Sequence, residues 1–289
     1  MTSTEQAFTA ADEVGDGGVI SGLFLDTGDQ DKNKDQPGII DNRYQASQNM
    51  LIEGVTLVDG PRYNIRALAQ YTTIANVKVI SWWFSTDGIV GGRKSLIQDS
   101  FVKVNDDSIK LHWGDNVVRR NVLWQLENGG TFNLSWNIHE DVQDFHVYDN
   151  DVIHAEHYDL EAQAVFRSRH AGSGTLSRYL FEDIRVENAT WRLICLAIEN
   201  NKWYESEKGY GEIEQLIFRN IHAYSATPQR PSAIFGIDGV HKVRNVSFQN
   251  VFTNGTCAAS AQGGGFEIDD KTTNAIRIMR SKDGSCHTP

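Results

Sequence analysis

Ile52-Glu53-Gly54-Val55-Thr56-Leu57 decides the fold, because its pattern returns seven more times along the chain. An apolar residue is followed by a short polar stretch, often containing Asn, Asp or Gly, and then by a second alternating apolar run. The eight copies begin at Ile52, Ile74, Ile97, Val118, Val147, Phe181, Phe218 and Phe248. Their first residues are 22, 23, 21, 29, 34, 37 and 30 positions apart.

A spacing near 22 matches one coil of a parallel β-helix, in which short strands joined by turns stack on the preceding coil. The Asn or Asp within each copy suits a turn, because these residues tolerate left-handed backbone and form local hydrogen bonds. We therefore predict an all-β protein, a right-handed, single-stranded parallel β-helix (solenoid). A β-sandwich or a propeller is the alternative, but a sandwich does not predict a near-constant interval and a propeller blade needs about 40 residues.

The domain boundary is predicted from where the repeat begins. Residues 1–45 are interpreted as an irregular N-terminal segment or cap, with one cap strand at Val19–Leu25, and residues 46–289 as the β-helix catalytic domain. The first 18 residues lack the basic and apolar regions of a secretory signal. Cys257 and Cys286 are a candidate disulfide pair, whereas Cys195 lies in an apolar run and is interpreted as a buried thiol.

Composition excludes several classes of partner. The 289 residues carry a formal net charge of −11, and such an acidic surface is unsuited to nucleic acid or to anionic membranes. No stretch approaches the roughly 20 apolar residues of a membrane-spanning helix. We expect a monomer that needs no cofactor and no metal.

Three aspartates are the candidate catalytic residues. Asp87 precedes Asp106 by 19 positions and Asp107 by 20, which places them on adjacent coils of about 22 residues. Neighbouring strands lie about 4.8 Å apart, so the three carboxyl groups converge. Like charges at this range raise the pKa of at least one carboxyl, and a protonated acid beside an ionised carboxylate suits general acid–base cleavage of a glycosidic bond. A Ca²⁺ or Mg²⁺ site built from Asp106, Asp107 and Asp151 is the alternative.

Aromatic residues concentrate around the same segment. Five of the seven tryptophans fall within 55 residues, and exposed aromatic rings stack on the apolar faces of sugars. The candidate substrate-binding residues are Trp83, Asn105, Lys110, Trp113, Trp124, Asn128 and Trp136.

The motifs Ser85-Thr86-Asp87-Gly88 and Asn105-Asp106-Asp107-Ser108-Ile109-Lys110, followed by Trp124, Asn128 and Trp136, resemble glycoside hydrolase family 49. That family contains dextranases and isopullulanase. The resemblance implies an extracellular, inverting enzyme that acts on α-linked glucan, with the α-1,6 links of dextran as the expected target. It also implies that Asp106 is the general acid and that Asp87 and Asp107 hold the attacking water.

The polygalacturonases of glycoside hydrolase family 28 are a more distant resemblance. Their Asn-Thr-Asp appears here as Ser85-Thr86-Asp87, Asn128-Gly129-Gly130 occupies the region of their Gly-His-Gly, and no Arg-Ile-Lys follows. The absence of those basic residues favours a neutral substrate over a uronate. A pectin-type hydrolase or lyase on the same fold, and a carbohydrate-binding β-helix without catalysis, remain the alternatives.

Overall fold

The third residue of every repeat adopts left-handed backbone, as the Asn, Asp and Gly pattern predicts. In the computed structural model, which describes residues 8–9, 18–22, 24–26, 38–43, 45–157 and 163–280, these residues have φ between 50° and 65°. They are Gly54, Asn76, Asp99, Arg120, Asp149, Asp183, Asn220 and Asn250. Each turns the chain sharply between two short extended segments.

The strands, numbered in chain order, fall into two sets. Ten form one sheet: β1 (Phe8–Thr9), β4 (Ile40–Asn42), β7 (Tyr63–Ala67), β10 (Asp87–Gly91), β13 (Ile109–Lys110), β16 (Gly130–Ser135), β18 (Ala164–His170), β20 (Ile194–Ile198), β22 (Ser232–Phe235) and β26 (Phe266–Ile268). The others are β2 (Val19–Ser21), β3 (Phe24–Asp26), β5 (Leu51–Glu53), β6 (Thr56–Val58), β8 (Thr73–Ala75), β9 (Lys78–Phe84), β11 (Leu96–Gln98), β12 (Phe101–Asn105), β14 (Val117–Arg119), β15 (Val122–Gln125), β17 (Val142–Ala155), β19 (Thr175–Glu187), β21 (Glu212–Tyr224), β23 (Val243–Arg244), β24 (Ser247–Thr253), β25 (Thr256–Cys257), β27 (Thr273–Asn274) and β28 (Arg277–Met279).

The ladders between these strands define a solenoid. In the ten-stranded sheet Ile65 pairs with Ile89, Ile89 with Ile109, and Ile109 with Phe132, all parallel and each one coil further along the chain. The second set bends at the left-handed residues, so it supplies two further faces around the same interior. Among the described residues only β24 and β25 pair antiparallel. The predicted fold, a right-handed parallel β-helix, is confirmed.

The interior is filled by the residues that begin the repeats. All eight of these apolar residues are buried, and burial of such a side chain contributes about 1.5–3 kcal/mol. Three of the aromatic members stack across coils, with ring centroids 4.9 Å apart for Phe181 and Phe218 and 5.1 Å apart for Phe218 and Phe248. The repeat is therefore a packing repeat, and each coil covers the apolar side of the next.

A polar ladder lies inside the helix beside one row of turns. Asn121 accepts a hydrogen bond from the Ser100 amide at 3.1 Å and donates to Asn150 Oδ1 at 3.0 Å. Its Nδ2 also donates to the Ile97 carbonyl at 3.2 Å. The sharp turns leave some buried backbone groups without a backbone partner, and these side chains bond to them. Buried polar groups need such hydrogen bonds.

A second row of left-handed residues was not predicted. It precedes the first row by five positions in each of the eight coils and contains Asn49, Tyr71, Lys94, Asp115, Asp144, Arg178, Gln215 and Asn245. Tyr, Lys and Arg are not typical turn residues, so the pattern of side chains does not reveal this row. The stacking of coils imposes the same backbone geometry at each level.

Several sequence predictions concern the ends of the chain. β2 and β3 pair with β5 and β6, and β4 with β7, so the described part of residues 1–45 adds strands to the same ladders. The boundary between segment and domain stays a prediction. Cys195 is a buried free thiol and Cys257 is disulfide-bonded, while Cys286 lies outside the described residues. Within the described ranges, no helix has the length and apolar character needed to cross a bilayer.

Candidate active site

The structure brings the three aspartates together at one corner of the β-helix. Asp87 is the first residue of β10, and Asp106 and Asp107 lie in the turn between β12 and β13 on the next coil. One carboxylate oxygen from each lies within 4.8 Å of the others. Asp107 is fully buried, Asp87 is 6% exposed and Asp106 is half-buried. The cluster therefore has one member that faces the surface and two behind it.

Lys110 neutralises part of this negative charge. Its Nζ donates to Asp87 Oδ2 at 2.7 Å and lies 3.4 Å from Asp107 Oδ2. Burial lowers the pKa of Lys110, but the neighbouring carboxylates, with Asp87 the strongest, hold this pKa well above its usual range. Lys110 was predicted to bind substrate. Its ammonium lies between two of the acids, and its contact with sugar stays a prediction.

Asp107 is held by donors on both oxygens. Oδ1 accepts from the Gly130 amide at 3.0 Å and from Arg167 Nη1 at 3.2 Å, and Oδ2 accepts from Trp136 Nε1 at 3.0 Å. Burial opposes ionisation, but Lys110, Arg167 and the Trp136 hydrogen bond outweigh it and lower the pKa of Asp107 to about 2. Asp107 is therefore the most readily ionised of the three acids.

The other two acids have raised pKa values. Burial raises the pKa of Asp87 to about 6, against the opposing attraction of Lys110. Burial also raises the pKa of Asp106 well above its usual range, and the charges of Asp87 and Asp107 raise it further. Two neighbouring carboxyls with raised pKa values beside one with a lowered pKa form an arrangement typical of acid–base sites.

One oxygen of Asp87 is available for a ligand. Oδ1 is buried and has no hydrogen-bond partner among the described residues, whereas Oδ2 is bonded to Lys110. A buried carboxylate oxygen is costly to leave unsatisfied. Water or a substrate hydroxyl is the natural partner at this position.

Gly129 shapes the turn that carries Asp106 and Asp107. Its φ is +83°, and a Cβ added there would lie 2.4 Å from both the Asp106 carbonyl carbon and the Asp107 nitrogen. Backbone this close admits no side chain. Gln125, also buried, donates to the Asp106 carbonyl at 2.8 Å and accepts from Ser108 at 2.6 Å.

Two predicted sugar ligands tie neighbouring turns together. Asn105 donates to the Trp82 carbonyl at 3.1 Å and accepts from the Asn128 amide at 3.1 Å. Asn128 in turn accepts from Gln163 at 3.0 Å through its own side-chain oxygen. The polar side chains thus form a chain across successive coils, and this chain fixes the corner that holds the acids.

The four predicted tryptophans lie on or beside four different strands. Trp136 contacts Asp107, and the Arg167 guanidinium lies 4.0 Å from the centroid of its ring. Trp83 is exposed next to the end of β9, and Trp124 is half-buried on the outer side of β15. Trp113 lies half-buried in the turn after β13, away from the contacts to the aspartates described above. Trp136 therefore bonds directly to one of the three acids.

The three-acid cluster also has the donor set for a cation. Lys110 already places an ammonium group 2.7 Å and 3.4 Å from two of these carboxylates, so the protein supplies positive charge where an ion would bind. Asp151, the third ligand of the alternative calcium site, accepts instead from Arg185 at 3.0 Å. The proposed Asp106, Asp107 and Asp151 combination is therefore not assembled.

Sequence reasoning missed Arg167, Gly129 and Gln125. Arg167 lies 60 positions after Asp107, and it reaches the site because Lys110 pairs with Asn133 and Asn133 with Arg167 on consecutive strands. The signal for Arg167 was a charged residue directly after the apolar run Ala164-Val165-Phe166. For Gly129, the signal was the pair of glycines one coil after the aspartates.

The chain is similar in sequence to two kinds of polysaccharide-degrading enzyme. A dextranase of Arthrobacter sp. is 28% identical over 118 residues, which cover 39% of this chain and 18% of that protein. Probable rhamnogalacturonase C of Aspergillus niger is 23% identical over 248 residues, or 76% of this chain and 50% of that protein. No protein-family model matches the chain.

Two solved structures have a similar fold. Dex49A from Penicillium minioluteum superposes with a TM-score of 0.63 at 16% identity, over 80% of this chain and 43% of that one. In the sequence comparison, the chain spans 18% of the length of the dextranases it matches. An exopolygalacturonase from Thermotoga maritima superposes with a TM-score of 0.59 at 16% identity, over 82% of this chain and 53% of that one. The predicted resemblance to dextranases and polygalacturonases is confirmed, and so is the fold.

Proposed function

We propose that the chain is a glycoside hydrolase that cleaves α-glucosidic links of a polysaccharide, with the α-1,6 links of dextran as its main target. The observation that carries the proposal is the convergence of three aspartates within 4.8 Å at one corner of the helix, with Lys110 and Arg167 paired to two of them. Burial and like charge raise the pKa of Asp106 and Asp87, while Lys110 and Arg167 keep Asp107 ionised. The similarity to dextranases over 118 residues supports the substrate class.

Asp106 is the proposed general acid. It is the most exposed of the three, and its raised pKa favours the protonated form. A protonated carboxyl at the surface of the cluster is positioned to donate its proton to the leaving glycosidic oxygen. The negative charges of Asp87 and Asp107 behind it also favour the positive charge that develops on the sugar ring.

Asp87 is the proposed general base. Its Oδ1 lacks a hydrogen-bond partner among the described residues, so it can accept the proton of an attacking water. Asp107 was expected to share this role, but both its oxygens already accept from protein donors. We therefore assign Asp107 to the electrostatics of the site and the water to Asp87.

Inversion is the proposed stereochemical outcome, as the resemblance implies. Oxygens of Asp87 and Asp106 lie within 4.8 Å, closer than the separation of about 6.5–9.5 Å usual for inverting pairs. The water is therefore assigned to the side of Asp87, outside the gap between the two acids. Proton NMR of the product tests this: β-anomer should form first from an α-linked substrate, and α-anomer first would contradict inversion.

The activity is tested by reducing-sugar release from dextran, pullulan and polygalacturonate, measured side by side. Asp106→Asn should lower the rate by about 10²–10⁴-fold, the usual contribution of general acid catalysis. Asp144→Asn is the matched control, because Asp144 is an exposed aspartate paired with Arg178 away from the cluster. Substantial residual activity of Asp106→Asn would refute the assigned acid.

A pectin-type substrate is the second candidate. The similarity to a probable rhamnogalacturonase over 76% of this chain favours it, as does the presence of Lys110 and Arg167 at the site. Both cations, however, are already paired with Asp87 or Asp107, which leaves less positive charge for a uronate carboxylate. Faster release from polygalacturonate than from dextran would establish this alternative. As the resemblance implies, the proposed enzyme acts on a polysaccharide outside the cell. The enzyme itself is proposed to be a monomer.

A further inference from the structure

Trp82, Lys103 and Trp124 form a cluster near the acids, on the outer side of the adjacent face. Trp82, on β9, is 56% exposed, which makes it one of the most exposed large apolar side chains in the described residues. Lys103, on the next coil, is 9% exposed. Trp124 follows one coil later, directly beside Lys103 in the β12–β15 ladder.

The Lys103 ammonium is enclosed between the two indole rings. Its Nζ lies 3.6 Å from the ring centroid of Trp82 and 4.0 Å from that of Trp124. His154, on the fourth coil, packs on Trp124 with centroids 5.4 Å apart. Cation–π attraction to two rings at once orients both of them, so Trp82 is held as a preformed flat surface with one face on the ammonium.

This cluster is continuous with the acids. Only Ser85 and Thr86 separate the end of β9 from Asp87. Asn105, which precedes Asp106, donates to the Trp82 carbonyl at 3.1 Å. A polymer that passes over the three acids therefore has the Trp82 surface within reach on the same corner of the helix.

We infer that Trp82, oriented by Lys103 and Trp124, forms an accessory binding site for a neutral glucan chain outside the catalytic cluster. The inference rests on the proposed function, because the ligand is the polymer whose links the acids cleave. The ligand class follows from the chemistry: an indole face stacks on the apolar face of a sugar ring. Lys103 already provides the cation that the electron-rich rings attract, so a cationic ligand has no advantage here.

The test is affinity electrophoresis in native gels that contain dextran, pullulan or polygalacturonate, with Asp106→Asn as the parent protein to prevent hydrolysis. We expect Trp82→Ala to weaken retardation by dextran about tenfold, and Lys103→Met to weaken it less because the ring remains but loses its orientation. Trp203→Ala is the matched control, since Trp203 is 45% exposed and has Lys202 Nζ 5.1 Å from its ring centroid. It should leave retardation unchanged.

Kinetics separate this site from the acid cluster. With Asp106 intact, Trp82→Ala should raise KM for long dextran about tenfold and leave kcat on a short oligosaccharide unchanged. Equal retardation of the Trp82→Ala and parent proteins would overturn the inference. So would a difference in mobility that is the same in gels without polysaccharide, because it would reflect a change in oligomeric state and not in binding. If wild-type protein releases no sugar from dextran while gels still show Trp82-dependent binding, the proposed activity fails and the binding site stands.

Discussion

Replacing Lys110 by methionine tests how the protein divides protons among the three acids. The side chain keeps its length but loses the ammonium that lies 2.7 Å from Asp87 and 3.4 Å from Asp107. A charge pair at about 4 Å contributes about 4 kcal/mol at an effective dielectric constant of about 20. Because one pKa unit corresponds to about 1.4 kcal/mol, we expect the pKa of Asp87 to rise by at least about one unit.

This shift predicts the direction of the change in activity. Asp87 acts as base only when it is ionised, so a pKa raised from about 6 moves the acidic limb of the pH–rate profile upward. With a shift of about one unit, the rate at pH 6 should fall about fivefold from the loss of ionised base alone. Lys94→Met is the control, because Lys94 is bonded to Tyr71 on the surface, 3.0 Å away. An unchanged acidic limb in Lys110→Met would refute the assignment of Asp87 as base.

Stability gives an independent measurement on the same variant. A carboxyl whose folded pKa is raised above its unfolded value makes the folded state bind more protons, so stability falls as the pH rises toward the folded pKa. Lys110→Met should therefore lose more thermal stability, relative to wild type, at pH 7 than at pH 5. A stability difference that is constant with pH would mean that Lys110 contributes by packing alone.

Two further substitutions test the turn and the interior. Gly129→Ala should lower activity at least about a hundredfold, because a Cβ would lie 2.4 Å from the Asp106–Asp107 backbone and displace both acids. Gly209→Ala should retain activity, since Gly209 has a similar φ of +74° but nothing within 4 Å of its Cβ; equal losses in the two variants would assign the effect to backbone strain. Asn121→Ala should lower the free energy of unfolding by about 3 kcal/mol, because it leaves buried partners unsatisfied. A loss below about 1 kcal/mol in chemical denaturation would show that water replaces the ladder.

The sequence determined the fold because each coil has to solve the same packing problem. An apolar residue must point inward at each level, and a left-handed residue must turn the chain after it, so Ile52 with Gly54 and Ile74 with Asn76 show the pattern directly. The proximity of the three aspartates could also be predicted, because their separation of 19 and 20 positions is close to the length of one coil. Both signals are local or periodic, and a periodic pattern can be recognised within a single sequence.

Tertiary structure decided the protonation and the support of the site. Nothing near Asp107 in the sequence indicates that Arg167, 60 positions later, shares its carboxylate, or that the Lys110 ammonium lies between two acids. The second row of left-handed turns, with Tyr71 and Lys94, was equally hidden. These features depend on which side chains meet across stacked coils, and insertions of variable length decide which residues those are. Charge and hydrogen bonding at the site follow from distances that only the folded chain has.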